Sequence, residues 1–114
     1  MLMRIPSLVL AAAFTVTAST SFAENVRIAF IDPLSGPFAP VGQNLFNSFK
    51  TIAELSNQKQ WGGQNTVEIV GFDNKGSPQE SLIQLKAAID QGYRYITQGN
   101  GSGVALALID AINK

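Results

Sequence analysis

Apolar positions along this chain fall into two kinds of pattern that take turns. Residues 25–31, NVRIAFI, are compact and β-branched with a single charge, as a strand buried on both faces requires. Residues 32–42, DPLSGPFAPVG, carry three prolines and two glycines and read as a loop. Over residues 43–60, Leu45, Phe49, Ile52, Ala53 and Ser56 recur on one face, which predicts an amphipathic helix. WGGQN is a turn, and TVEIVGFD at 66–73 predicts a second strand, broken by NKGS. Ser77, Pro78 and Glu80 then stand where a helix wants its N-cap, its first residue and the acid of a capping box. Leu82, Leu85 and Ile89 predict the buried face of that helix, and Gly92 closes it. YRYIT predicts a third strand and QGNGSG a loop. Ala105, Leu108, Ile109 and Ile112, at i, i+3, i+4 and i+7, predict a third helix.

Strand–helix alternation of this kind predicts an α/β fold: a three-layer βαβαβα unit with a parallel sheet, right-handed crossovers and helices on its faces. Ligands of such sheets sit beyond the carboxyl ends of the strands, where strand order reverses. Those ends carry the loops at 32–42, 73–77 and 98–103. A spatial order of 2-1-3 would make the first and third loops neighbours. A sheet of three strands leaves its edges unpaired, and the last helix meets Lys114 with no glycine cap or stop signal. Both features predict the first part of a longer protein.

The hydrophobic content of 46% suits a globular chain, but part of it lies in the first 23 residues. Arg4 supplies a positive start, an apolar stretch follows, and Ser21-Phe22-Ala23 places small residues at −3 and −1 of a cut after Ala23. Residues 1–23 are therefore expected to be an export signal, leaving 24–114 as the mature segment. The absence of cysteine removes the lipid attachment point of an exported lipoprotein as well as any disulfide, so a soluble periplasmic protein is expected. Eight basic and eight acidic residues balance, so no basic footprint for nucleic acid is present.

With no histidine and no cysteine, the residues that most often do acid–base and nucleophilic chemistry are missing. Ser35, in LSG, lacks the frame of a nucleophile elbow. Tyr93, Arg94 and Tyr95 flank the third strand and read as structural or surface residues. No metal-ligand spacing occurs, and no cofactor is expected. The loop 98–103 is not a dinucleotide site: that pattern needs glycine or alanine where Val104 or Leu106 stands, and it should follow the first strand. Two readings of the loop stay open. Gly99, Gly101 and Gly103, with the Ser102 hydroxyl and the helix start, could bind a small anion. Alternatively, the glycines only let strand turn into helix, with Ser102 as N-cap. Phe38, among prolines at the same sheet edge, could cover an apolar ligand group or cap the core.

IAFIDPLSGPFAPVGQ, VEIVGFDNKGSPQESLIQLKAAIDQG and YITQGNGSGVALALIDAIN together resemble the branched-chain amino acid–type substrate-binding proteins of ABC transporters, of the type I periplasmic binding fold. The likeness runs in register over nearly all of residues 25–114. It implies the first part of lobe 1 of a two-lobed clamp, with the second lobe absent. By position it implies that Asn100, Gly101 and Ser102 belong to the loop holding a ligand's carboxylate, and that Phe38 and Val41 lie at the cleft mouth. Asp73 and Asn74 would sit near the rim as solvated surface residues. The implied ligand is a branched-chain amino acid or a related small amino acid or amide, and the implied partners are the membrane subunits of an ABC permease. A ligand-sensing domain of a receptor or regulator with the same fold is the alternative. Half a cleft does not exclude water, so this polypeptide alone is expected to bind weakly or not at all.

Overall fold

A computed structural model describes residues 22–114; the expected export signal falls almost wholly outside the described residues. The order is β1 (Asn25–Asp32), α1 (Ala39–Lys59), β2 (Thr66–Asp73), α2 (Pro78–Asp90), β3 (Tyr95–Thr97) and α3 (Ser102–Ile112). The strands form one parallel sheet in the order β2-β1-β3. β1 pairs with β2 along its whole length, from Asn25 opposite Thr66 to Asp32 opposite Asp73. β3 is shorter than YRYIT: only Tyr95, Ile96 and Thr97 pair, against Ile28, Ala29 and Phe30. Tyr93 lies before the strand and is buried in the core, its ring edge-on to Phe72 at 5.3 Å.

Central β1 is covered on both faces, as its unbroken apolar run requires. Ala29 and Ile31 point to one side, where Phe72, Leu85, Ala88, Tyr93, Val104 and Leu108 complete a core with α2 and α3. Phe30 points to the other, where α1 covers it with Ala53, Leu45 and Phe46. The period of two in the strand thus divides the core into two apolar layers.

The helix faces differ from those the sequence predicts. In α2 the buried residues are Ser81, Leu85 and Ala88, while Leu82 and Ile89 are 41% and 55% exposed. Close contact with the sheet and with α3 favours small side chains, so the serine and alanine turn inward and the larger neighbours move to the flank. In α3, Val104 and Leu108 are buried, and Ile109 and Ile112 stay more than half exposed. They lie towards β3, whose outer edge has no partner strand among the described residues. In α1, Phe49 and Ile52 are exposed, and Gly42 and Ala53 are buried.

α1 also begins earlier than the prolines suggest, at Ala39, with Pro40 in its first turn where a missing N–H costs nothing. Gly42 is therefore helical, and it lets the helix pass directly over Pro33: a β-carbon there would lie 1.7 Å from the Pro33 carbonyl oxygen. The N-cap of α2 is as predicted, with Ser77 Oγ accepting the Glu80 N–H at 3.3 Å.

Candidate functional site

The carboxyl ends of the three strands are stitched together by polar side chains that belong to the strands or immediately follow them. Asp32, the last residue of β1, is fully buried, and its Oδ1 accepts the N–H groups of Gly99 at 3.1 Å and Asn100 at 2.8 Å. Asp73, the last residue of β2, reaches the first loop. Its Oδ1 accepts from Leu34 N–H at 2.9 Å and Ser35 N–H at 3.3 Å, and its Oδ2 from the Ser35 hydroxyl. Asn74 is buried as well; its side chain donates to Ser81 Oγ at 3.0 Å and accepts the Gly76 N–H at 2.9 Å. Its own N–H donates to the Asp32 carbonyl at 3.1 Å. Asn74 is thus a buried tie and not a solvated rim residue, while Asp73 stays partly exposed at the rim and ties the first loop to β2. Their short side chains can turn back onto nearby N–H groups, which is why these residue types favour such corners.

Burial acts to raise the Asp73 pKa. The hydrogen bonds from the Ser35 hydroxyl and from the Lys75, Leu34 and Ser35 N–H groups outweigh it and hold the carboxyl below its ordinary value.

Between these loops lies a cavity of about 270 Å³ lined by Pro33, Phe38, Gly76, Asn100, Gly101 and Val104. Every one of the three loops contributes to it. Phe38 is the N-cap residue of α1; the residue is 61% exposed and its ring rests near Gly76, where a β-carbon would stand 3.1 Å from the ring. It covers the mouth of the cavity and does not cap the core. Gly101 holds φ at +86°, a backbone that glycine adopts at little cost, and is the N-cap of α3. Ser102 is instead the first helical residue and makes no side-chain cap bond, because the turn into the helix comes one residue earlier than predicted.

Of the residues expected in the site, Phe38, Asn100 and Gly101 meet at this cavity. Ser102 and Val41 are exposed beside it and outside its lining. The Asn100 N–H is already taken by Asp32, so Asn100 offers the cavity its side chain, whose Nδ2 is buried without a partner. Pro33, Gly76, Val104 and Asp32 were not legible as site residues. Asp32 carried a signal in retrospect: an acid closing an apolar strand, directly before a proline-rich loop. Among the described residues no cluster of three or more His, Cys, Asp and Glu could hold a metal ion, and no helix is long and apolar enough to cross a membrane.

A cavity at the reversal of strand order of a parallel α/β sheet lies where such folds bind their ligands. A family profile described as periplasmic binding protein matches residues 25–114, and the chain belongs to that family. It is 33% identical over 99 residues to Leu/Ile/Val-binding protein homolog 4 of Brucella abortus (strain 2308), an alignment covering 85% of this chain and 23% of that relative. It is similar to the leucine-, isoleucine-, valine-, threonine- and alanine-binding protein of Brucella ovis in its closed conformation. There the identity is 32% and the TM-score 0.64, over 80% of this chain and 23% of the other. An ABC transporter solute-binding protein of R. palustris, solved with 4-hydroxybenzoate, is 27% identical with a TM-score of 0.64, over 78% of this chain and 24% of the other. The chain thus spans about a quarter of the length of the relatives it matches.

Proposed function

We propose that this chain forms part of the first ligand-binding lobe of an exported solute-binding protein, one that captures a small carboxylate and delivers it to the membrane subunits of an ABC permease. The observation carrying this reading is the cavity at the strand ends, to which all three loops contribute and which Phe38, Asn100 and Gly101 line together. The N–H groups at the start of α3 are available to a carboxylate, since no carbonyl of that helix can reach them. The apolar wall made by Pro33, Phe38 and Val104 suits an aliphatic or aromatic body. A branched-chain amino acid, or a related small amino acid or amide, fits both halves of the description and agrees with the names of the Brucella relatives. The R. palustris protein solved with 4-hydroxybenzoate adds an aromatic acid to the candidates. Residues 1–23 act as the export signal in this reading, and the product is a soluble periplasmic protein.

The test is a thermal-shift and calorimetric titration of the full-length protein with L-leucine, L-isoleucine, L-valine, their amides and 4-hydroxybenzoate. A true ligand at a hundred times its Kd stabilises by about 2.7 kcal/mol, a readily measured rise in Tm. If none of these compounds raises Tm or releases heat, the carboxylate reading fails. N-terminal sequencing of the periplasmic fraction should begin at Glu24; a product retaining Met1 would refute the export signal.

A further inference from the structure

Asp32 is an acid in an unusual position. It is fully buried, and the ion pairs among the described residues are Arg27 with Glu68 and Lys86 with Asp90, so no basic side chain balances it. An unbalanced carboxylate is costly in a protein interior and persists only where hydrogen bonds hold it. Here Oδ1 is held by two backbone donors, Gly99 N–H and Asn100 N–H, while Oδ2 is buried without a partner. The loop is shaped to this acid. A β-carbon on Gly99 would stand 3.3 Å from Oδ2 and 2.5 Å from Leu45 Cδ1, so glycine lets the backbone come this close without displacing Leu45. The carbonyl of Asp32 also receives the Asn74 N–H, so one residue touches both other loops.

We propose that Asp32 is a positioning residue of the ligand site. It draws the Gly99 and Asn100 N–H groups inward, which leaves the grip to the unpaired N–H groups of the helix start from Gly101 onward, and sets the Asn100 side chain against the cavity. This inference rests on the carboxylate-binding reading above. It has a consequence that a purely structural role lacks. The acid stands behind the grip with the same sign of charge as the ligand, so its value lies in its acceptor oxygen and not in its charge. An asparagine keeps that oxygen and removes the repulsion.

The test has two arms in the full-length protein. The first is amide hydrogen exchange without ligand, comparing wild type, Asp32→Asn and Asp32→Ala. Gly99 and Asn100 should exchange at least about a hundredfold more slowly than Gly101 and Ser102 in wild type. Asp32→Ala should abolish that difference while β1 and β2 amides keep their protection, and Asp32→Asn should retain it. The second arm is affinity for L-leucine or 4-hydroxybenzoate, whichever binds. Asp32→Ala should weaken it about tenfold, and Asp32→Asn should leave it equal or tighter.

Equal exchange at Gly99, Asn100 and Gly101 in wild type overturns the proposal, as does an Asp32→Ala affinity within about threefold of wild type. Should Asp32→Ala fail to fold, wild-type exchange and the Asp32→Asn affinity decide; a tenfold weakening in Asp32→Asn would overturn the proposal. If no probe binds, the carboxylate reading is lost, and the exchange arm alone supports or overturns the lock.

Discussion

Asp73, at the end of β2, accepts the backbone N–H of Leu34 at 2.9 Å, tying the first loop to a strand 39 residues away in the chain. The same carboxylate takes Ser35 and Lys75 N–H groups, and these bonds keep its pKa low despite burial. A carboxyl depressed in the folded state contributes stability above its unfolded pKa of about 3.9, and loses it as pH falls through the folded value. Wild-type stability should therefore decline below about pH 4 more steeply than that of Asp73→Asn, whose amide oxygen still accepts the N–H groups but does not titrate. Asp73→Ala should cost about 1–3 kcal/mol at pH 7. Urea unfolding from pH 2.5 to 7 checks both; identical acid limbs for wild type and Asp73→Asn would refute the account.

Gly42 and Gly99 both mark close approaches, but against neighbours of different stiffness. Gly42→Ala drives a β-carbon into the Pro33 backbone and should destabilise by about 3 kcal/mol or more. Gly99→Ala meets chiefly the tip of Leu45, which can move, and should cost about 1–2 kcal/mol. Pairing Gly99→Ala with Leu45→Ala should then be less damaging than the sum of the two, a coupling that a double-mutant cycle by urea denaturation would measure.

Asn57 protects the outer edge of the sheet. Its Nδ2 donates to the Val67 carbonyl at 2.9 Å and its Oδ1 accepts the Val67 N–H at 2.8 Å, as a neighbouring strand would. Asn57→Ala should cost about 1–3 kcal/mol and leave an unpaired edge open to other chains. Denaturation gives the first quantity and light scattering at raised concentration the second. Unchanged stability and unchanged scattering together would show that the pair is idle.

Phe38 separates binding from stability. Being exposed, it should tolerate Phe38→Ala with a loss of about 0.5 kcal/mol or less. Removal of the ring from the cavity mouth should weaken ligand affinity about tenfold, read by calorimetry with a compound that binds the wild type. A large fall in Tm with unchanged affinity would place Phe38 in the core instead.

The buried face of α2 is open to a paired test. Leu85→Ala should lose about 2–5 kcal/mol and Leu82→Ala about 1 kcal/mol or less, since Leu85 is 3% and Leu82 41% exposed. Equal losses would restore the face that periodicity alone selected.

Sequence periodicity by itself determined the element order and the parallel α/β class, because strand and helix periods differ and alternation leaves few right-handed topologies; the order β2-β1-β3 among them was decided by the tertiary structure. Local chemistry determined the Ser77 cap, since a cap needs only residues within one helical turn. Proline content misplaced the start of α1, because proline suits a first helical turn as well as a loop. Which helix face turns inward was decided only by packing: Ser81 and Ala88 displaced Leu82 and Ile89 because close contact there favours small side chains over apolar ones. The site divides in the same way. Glycines at 99 and 101 announced a backbone built for close approach, and Phe38 an aromatic at the same edge. That the close approach at Gly99 is to Asp32, 67 residues earlier, was decided by the tertiary structure alone. A parallel sheet brings distant strand ends together, and only there can one buried carboxylate meet the N–H groups of a loop it never adjoins in sequence.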